Sequence, residues 1–370
     1  MNSTPALSRP DRLSRLESLL QHDPDNELLL ADTAEAAIAA AQFDRAGELI
    51  QAGLRLSGNP AAWQFRRATL CIAQRRLDEA RDILAQLEAS NGPHPAISHN
   101  LAYVEFLRGN HAACAALLKP LLADEDTALA GAEPAAHALW LRAMHHTGAL
   151  QEAWDWSIAR ISSGKLGPQA CGVASLIALD LSRIDDAARL SQRALDAGVN
   201  QVEPFVARAG AALAAQDTAL ARQLLQQALA LSPGDGRTWS SLGFAALLDR
   251  QFDEARGALE NALGTMGEHV ETLQALGWAC VMCEDLGAAA AALDKAISLD
   301  GASAQAHGAR AVVHALADEG DQARAAVLRA FALDASCVTA RFAQELLAGH
   351  QEGVRELTQF ATTGGRRTIH

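Results

Sequence analysis

The chain repeats itself every 34 residues, and a segment of that length cannot bury an apolar face alone, so adjacent copies must supply one another's core. The register is clearest in one column. Steps of 34 lead from Ala46 to Ala80 and Cys114 and, after a five-residue excess, through Ala153, Ala187, Ala221, Ala255, Ala289 and Ala323. Eight of these nine are Ala, where the roughly one-fifth Ala content of the chain would give about two by chance. A second column is small in all but one place: Ala34, Ala68, Ala102, Leu141, Ser175, Ala209, Gly243, Gly277 and Ala311. A third is aliphatic or small: Ile50, Leu84, Leu118, Ser157, Ser191, Leu225, Leu259, Leu293 and Val327. Two helices of about 13 residues and two short turns fill such a period, with small side chains where the helices approach.

The strongest copy reads Trp239, Leu242, Gly243, Phe252, Ala255, Leu259 and Ala262, with Gly267 where a Pro would close the pattern. The next gives Leu273, Leu276, Gly277, Leu286, Ala289, Leu293 and Ala296, and the preceding one Ala221, Leu225, Ala228 and Pro233. This pattern resembles the tetratricopeptide repeat, a pair of antiparallel helices with a W-x2-L-G-x2-Y…A-x3-F…A…P signature. The resemblance implies an all-α fold: a right-handed α-solenoid, or superhelix, of about nine helix-turn-helix repeats. The repeats are framed at 27–60, 61–94, 95–128, 134–167, 168–201, 202–235, 236–269, 270–303 and 304–337. Turn signals at Gly109-Asn110, Gly148, Ser232-Pro233-Gly234-Asp235 and Gly320-Asp321 fall between the expected helices.

The flanks read as caps. Residues 1–26 hold a tail and a half repeat, in which Leu16, Leu19 and Pro24 keep the register. Repeats one to three occupy 27–128, a short insertion 129–133, and repeats four to nine 134–337. Residues 338–361 form a degenerate capping pair, with Arg341, Gln344 and Glu345 at usually apolar or small positions, and 362–370 a flexible tail. The fourth repeat departs furthest, with Leu141 in a small-residue column and Ser157 and Arg160 in core columns, and a local bend or altered packing is expected there.

Charge narrows the partners. With 31 Lys+Arg against 44 Asp+Glu the formal charge is −13, and no basic run occurs, which argues against nucleic acid or an anionic membrane. No apolar stretch reaches membrane-spanning length and no secretory leader is evident, so a cytoplasmic location is expected. The six cysteines lack a pairing pattern and read as buried thiols, including Cys280 and Cys283 within an apolar helical run.

Phosphate-loop, dinucleotide, nucleophile-elbow and zincin motifs are all absent. His137, His145 and His146 lack Cys or carboxylate companions at ligand spacing, and Asp124, Glu125 and Asp126 read as a solvated loop. The expectation is no catalytic residue, no cofactor and no metal. In the family that the sequence resembles, the first helix of each repeat lines a concave groove. By that geometry, positions 2, 5, 6, 9 and 12 of the repeats point Phe65, Arg66, His99, Asn100, Tyr103, Phe106, Arg142, His145, Leu176, Phe244 and Trp278 into it. The set is rich in aromatic residues and Arg, the usual binding anchors. It departs from the Lys-Asn-Arg carboxylate clamp of chaperone-binding members, having Ala62, Phe65, Ala96 and His99 at positions 2 and 5 and no Lys.

The resulting expectation is a non-enzymatic scaffold, adaptor or chaperone that holds an apolar or amphipathic peptide or helix of a partner protein. Two alternatives remain open at this level. One is a self-associating structural component of a larger assembly. The other is an enzyme or small-molecule binder with a polar pocket around Arg142, His145 and His146.

Overall fold

The computed structural model describes residues 9–123 and 133–349. The expected tail at 362–370, the second helix of the pair at 338–361 and most of the connection at 129–133 lie outside the described residues. Those described form twenty α-helices and no strand. None of the helices is long and apolar enough to cross a membrane.

The helices alternate along the repeat. After α1 (Arg9–Leu20), the first helices are α2 (Glu27–Ala39), α4 (Pro60–Ala73), α6 (Pro95–Leu107), α8 (Glu133–His146), α10 (Pro168–Asp180), α12 (Val202–Ala214), α14 (Gly236–Leu248), α16 (Val270–Met282) and α18 (Ala304–Leu316). Their second helices are α3 (Phe43–Leu56), α5 (Leu77–Asn91), α7 (His111–Ala123), α9 (Leu150–Ser162), α11 (Ile184–Asp196), α13 (Thr218–Leu231), α15 (Phe252–Met266), α17 (Leu286–Leu299) and α19 (Gly320–Leu333), and α20 (Val338–Leu347) ends the described chain. Two compact units result, Met1–Ala170 and Cys171–His370. The division falls after the fourth repeat and not at the insertion before it.

Inside each unit the three sequence columns form the seam of the hairpins. All nine residues of the column from Ala46 to Ala323 are fully buried, at 0% exposure. The other two columns meet face to face: a Cβ added to Gly243 would lie 2.5 Å from Leu259 Cγ, and one on Gly277 2.7 Å from Leu293 Cγ. Glycine is therefore required in these two repeats so that the second helix can seat a leucine against the first. In the fourth repeat the volumes are exchanged. Leu141 stands in the small column and Ser157 in the large one, both at 0% exposure, so the total volume is held although each residue departs from the pattern.

The corner between the two helices is the same in all nine repeats. At its fifteenth position the backbone is left-handed, with φ from 57° to 80° at Ala41, Arg75, Gly109, Gly148, Ser182, Gln216, Arg250, Glu284 and Asp318. The next residue's N–H reaches back five residues, as in Gln42 N to Ala37 O (2.9 Å) and Arg250's neighbour Gln251 N to Ala246 O (2.8 Å), which closes a Schellman turn. Only Gly109 and Gly148 take this conformation without steric cost, whereas the other seven place a side chain where roughly 1–2 kcal/mol of strain is usual.

Helix starts are better marked. Asn26, Asp217, Asp235, Asp285 and Ser303 accept a hydrogen bond from the backbone N–H three residues on, and Pro60 and Pro95 open α4 and α6.

Candidate functional site

In the first unit, side chains of neighbouring first helices reach one another, α2 with α4 and α6 with α8, and the side on which they do so is the inner face. Arg66 on α4 crosses to Glu35 on α2, with Nη2 at 3.1 Å from Oε1. Its Nη1 donates to Ala62 O at 3.3 Å, and its guanidinium carbon stands 5.3 Å from the centroid of the Trp63 ring. Arg66 Nε is buried and has no hydrogen-bond partner, as is His99 Nε2 on the adjacent helix α6.

Burial holds the His99 imidazole below the usual histidine range, while a hydrogen bond with Asn100 opposes that shift. The sign has a consequence. Below the unfolded imidazole value, about 6.5, the unfolded chain takes up a proton that folded His99 refuses, so the first unit loses stability as pH falls toward the lower folded value. The urea midpoint of the wild type is expected to fall between about pH 7.5 and about pH 5.5 more than that of His99→Gln. Equal falls in the two proteins would remove His99 as the cause.

The remaining predicted residues of this unit divide by exposure. Tyr103 is 38% exposed, whereas Phe65 is half-buried against the cluster of Ala68, Ile83, Leu84 and Leu101. Asn100, Arg142 and His145 are half-buried on α6 and α8. Phe106 is taken up by ring contacts, 4.9 Å from the His111 centroid and 5.6 Å from that of His146. His111 and His146 stack at 4.3 Å, and His145 stands edge-on to His146 at 5.9 Å.

His137 lies apart from them, edge-on to Trp156 at 5.0 Å. Among the described residues no group of three or more His, Cys, Asp or Glu side chains is placed to hold a metal ion. A cleft of about 240 Å³ opens between α7, α8 and α9, but its walls are Trp140, Trp156, Leu122 and the stems of Lys119, Glu152 and Arg160. The Arg160 guanidinium already covers the Trp156 ring at 3.8 Å and donates to Leu122 O at 2.8 Å.

In the second unit the three predicted residues have three different surroundings. Phe244 on α14 is 38% exposed. Trp278 on α16 is half-buried and wedges between two core clusters, touching the one that contains Val281 and Val313 and the one that contains Val312 and Phe342. Leu176 on α10 is 8% exposed and packs with Val206, Ala209 and Leu225, so it belongs to the core of this unit. Sequence projection placed Leu176 in the groove because its position is right, but neighbouring side chains cover it.

The sequence reading also missed a constriction. A Cβ on Gly210 would lie 2.5 Å from Leu179 Cδ2, so the Leu179 side chain lies across the inner face of α12. Both terminal nitrogens of Arg237 on α14 bond Asp180 on α10, bridging over the same helix. Gly210 occupies the ninth position of its repeat, the position of Tyr103 and Phe244, and its missing side chain was the available signal.

The cysteines are all free, and all but Cys283 are buried. Burial pushes the Cys114 thiol up to about 12 and raises those of Cys71, Cys171 and Cys280 as well. Cys283 is half-buried and is also raised, by burial first and then by Asp253, whose Oδ1 lies 3.5 Å from Sγ. None of these five is an activated thiolate.

These hairpins, with their small-residue seams and left-handed corners, define the class: the chain has the tetratricopeptide-repeat fold, an all-α helical-repeat solenoid. No protein-family model matches the sequence, and no curated protein matches it. Among solved structures the chain is similar to the APC/C hetero-tetramer Cut9-Hcn1 at 14% identity and a TM-score of 0.48, over 92% of this chain and 94% of that one. It is similar to Pseudomonas aeruginosa PilF at 17% identity and a TM-score of 0.44, over 52% of this chain and 88% of that one. A tetratricopeptide repeat protein from Parabacteroides merdae is similar at 15% identity and a TM-score of 0.43, over 71% and 97% of the two chains.

Proposed function

We propose that the chain is a non-enzymatic adaptor or chaperone of the cytoplasm, which holds an apolar or amphipathic peptide or helix of a partner protein against the inner faces of its first helices. The observation that carries this reading is the exposure of aromatic side chains at one repeat position. Tyr103 in the first unit and Phe244 in the second are each 38% exposed on otherwise well-packed helices. A large ring left in water on a concave face gains more from a partner than it contributes to the fold.

The two rings give a test in which binding and folding separate. Tyr103→Ala and Phe244→Ala are expected to weaken partner capture by about tenfold or more, leaving helical circular dichroism and the melting curve close to wild type. Trp278→Ala is expected to lower the melting temperature as well, because that ring joins two core clusters. Quantitative capture with the three variants in parallel checks this. Unaltered capture by both Tyr103→Ala and Phe244→Ala would exclude the inner faces as the binding surface.

A further inference from the structure

The fourth repeat breaks the pattern of the array at three places that converge. At its seventh, twenty-third and twenty-seventh positions it carries Trp140, Trp156 and Arg160. No other repeat has an aromatic residue at the first two or a charged one at the third. The last five repeats place Ala194, Ala228, Ala262, Ala296 and Ala330 at the twenty-seventh position, all fully buried. The shared core does not call for two indoles and a guanidinium, and a copy that departs from its own pattern is where a separate function is to be sought.

These side chains bound a cleft. Trp140 of α8, Trp156 and Arg160 of α9 and Leu122 of α7 wall about 240 Å³. The two indole centroids stand 4.8 Å apart with their planes at 45°, so both rings turn toward one space instead of stacking it shut. Arg160 is held in place over the Trp156 ring and by Leu122 O. An apolar cavity of about 150 Å³ already admits a benzene ring, which leaves room here for one ring and a short arm.

The mouth of the cleft is charged. Lys119 of α7 and Glu152 of α9, with side chains 72% and 60% exposed, approach to 3.6 Å, near enough to attract and too far to hydrogen-bond. Glu152, Trp156 and Arg160 follow one another four residues apart and so share a face of α9. Asp155 lies off that face and accepts from Gln151 at 2.8 Å. Two of the three charged side chains on the walls are therefore cations, in a chain whose formal charge is −13.

We propose that this cleft binds a small aromatic carboxylate, whose ring lies against Trp140 and Trp156 and whose carboxylate takes Lys119. The site is built mainly on second helices and does not rest on the reading of the inner faces. Its rim favours a small molecule over the side chain of a partner protein. An anchor pocket between proteins is ringed by neighbours that exclude water, whereas this mouth is an exposed Lys and Glu.

The test uses three probes of nearly one shape, phenylacetate, the neutral phenylacetamide and the phenethylammonium cation, with binding to the full chain read by saturation-transfer NMR and calorimetry. Phenylacetate is expected to bind about threefold or more tighter than the amide, and the cation weakest. Lys119→Gln should bring phenylacetate down to the level of the amide and leave the amide unchanged. Trp156→Leu should weaken both by about tenfold, and because Lys119 is exposed, its variant carries the test even where Trp156→Leu also lowers the melting temperature.

Equal binding of phenylacetate and phenylacetamide, or no loss in Lys119→Gln, would overturn the assignment to a carboxylate. No saturation transfer to any probe would overturn the site. Binding that arises only after residues 124–132 are replaced by a Gly-Ser stretch of equal length would make that connection the occupant and overturn the proposal. Loss of partner capture in Trp156→Leu, with no probe bound by the wild type, would make the cleft a protein anchor and overturn it as well.

Discussion

Gly53→Ala is expected to destabilise the first unit by about 3 kcal/mol, at the upper end of what overpacking a core costs. The added Cβ would stand 2.2 Å from Trp63 Cζ2 and 2.3 Å from Cε2, a separation no two carbons tolerate. The ring cannot yield easily. Trp63 is 1% exposed, and its Nε1 donates to Glu27 Oε1 at 3.1 Å, with Ser57 on the same oxygen. Gly53 therefore lets the second helix of one repeat close on the largest fully buried side chain of the next. Chemical denaturation followed by hydrogen exchange in α2 to α4 reads the effect. Trp63→Leu in the Gly53→Ala background should cost less than the sum of the two single changes, since it removes the ring that the methyl strikes. A wild-type midpoint for Gly53→Ala would show that this contact does not form.

The second large effect tests the exchanged volumes of the fourth repeat. Ser157→Leu installs the residue that Leu259 and Leu293 supply in later repeats, and a consensus argument would call it stabilising. The opposite is expected, a loss of about 1–3 kcal/mol, because Leu141 already fills the site that Gly243 and Gly277 leave open in those repeats. Leu141→Ala alone should cost about 2–5 kcal/mol by leaving a cavity. Together the two changes restore the ordinary arrangement and should cost about 1–3 kcal/mol less than their sum, which a double-mutant cycle measures. Strict additivity would mean that the two side chains do not share one site.

The hairpins were legible because their spacing is set by a physical repeat. Nine small residues at one period can only mark a place where helices approach, and all nine are buried. The corners were not legible in the same way. Sequence punctuation identified Gly109 and Gly148 as turns, but Arg75, Ser182, Gln216, Arg250 and Glu284 carry no turn signal and still adopt the left-handed conformation. Their geometry follows from packing at both ends of the hairpin rather than from local preference.

The candidate binding face was legible by position and only partly by identity. Tyr103 and Phe244 stand exposed where projection puts them, whereas Leu176 at the equivalent place is covered by side chains of its own unit. Glu35 stands at the ninth position of its repeat, as Tyr103 and Phe244 do, and was passed over because projection favoured aromatic and basic side chains; only its 3.1 Å approach to Arg66 required the structure.

Seven corners held in a disfavoured conformation also bear on how the molecule is assembled in time. An isolated hairpin would have to maintain a left-handed residue at Arg75 or Arg250 with nothing outside itself to enforce it, and nucleating a helix pair is already unfavourable. The cost is recovered only after an adjacent copy docks, so ordering should spread outward from a nucleus of several copies instead of accumulating one hairpin at a time. Gly109 and Gly148 close consecutive corners of the third and fourth repeats at no such cost, and that pair is the natural place for the nucleus.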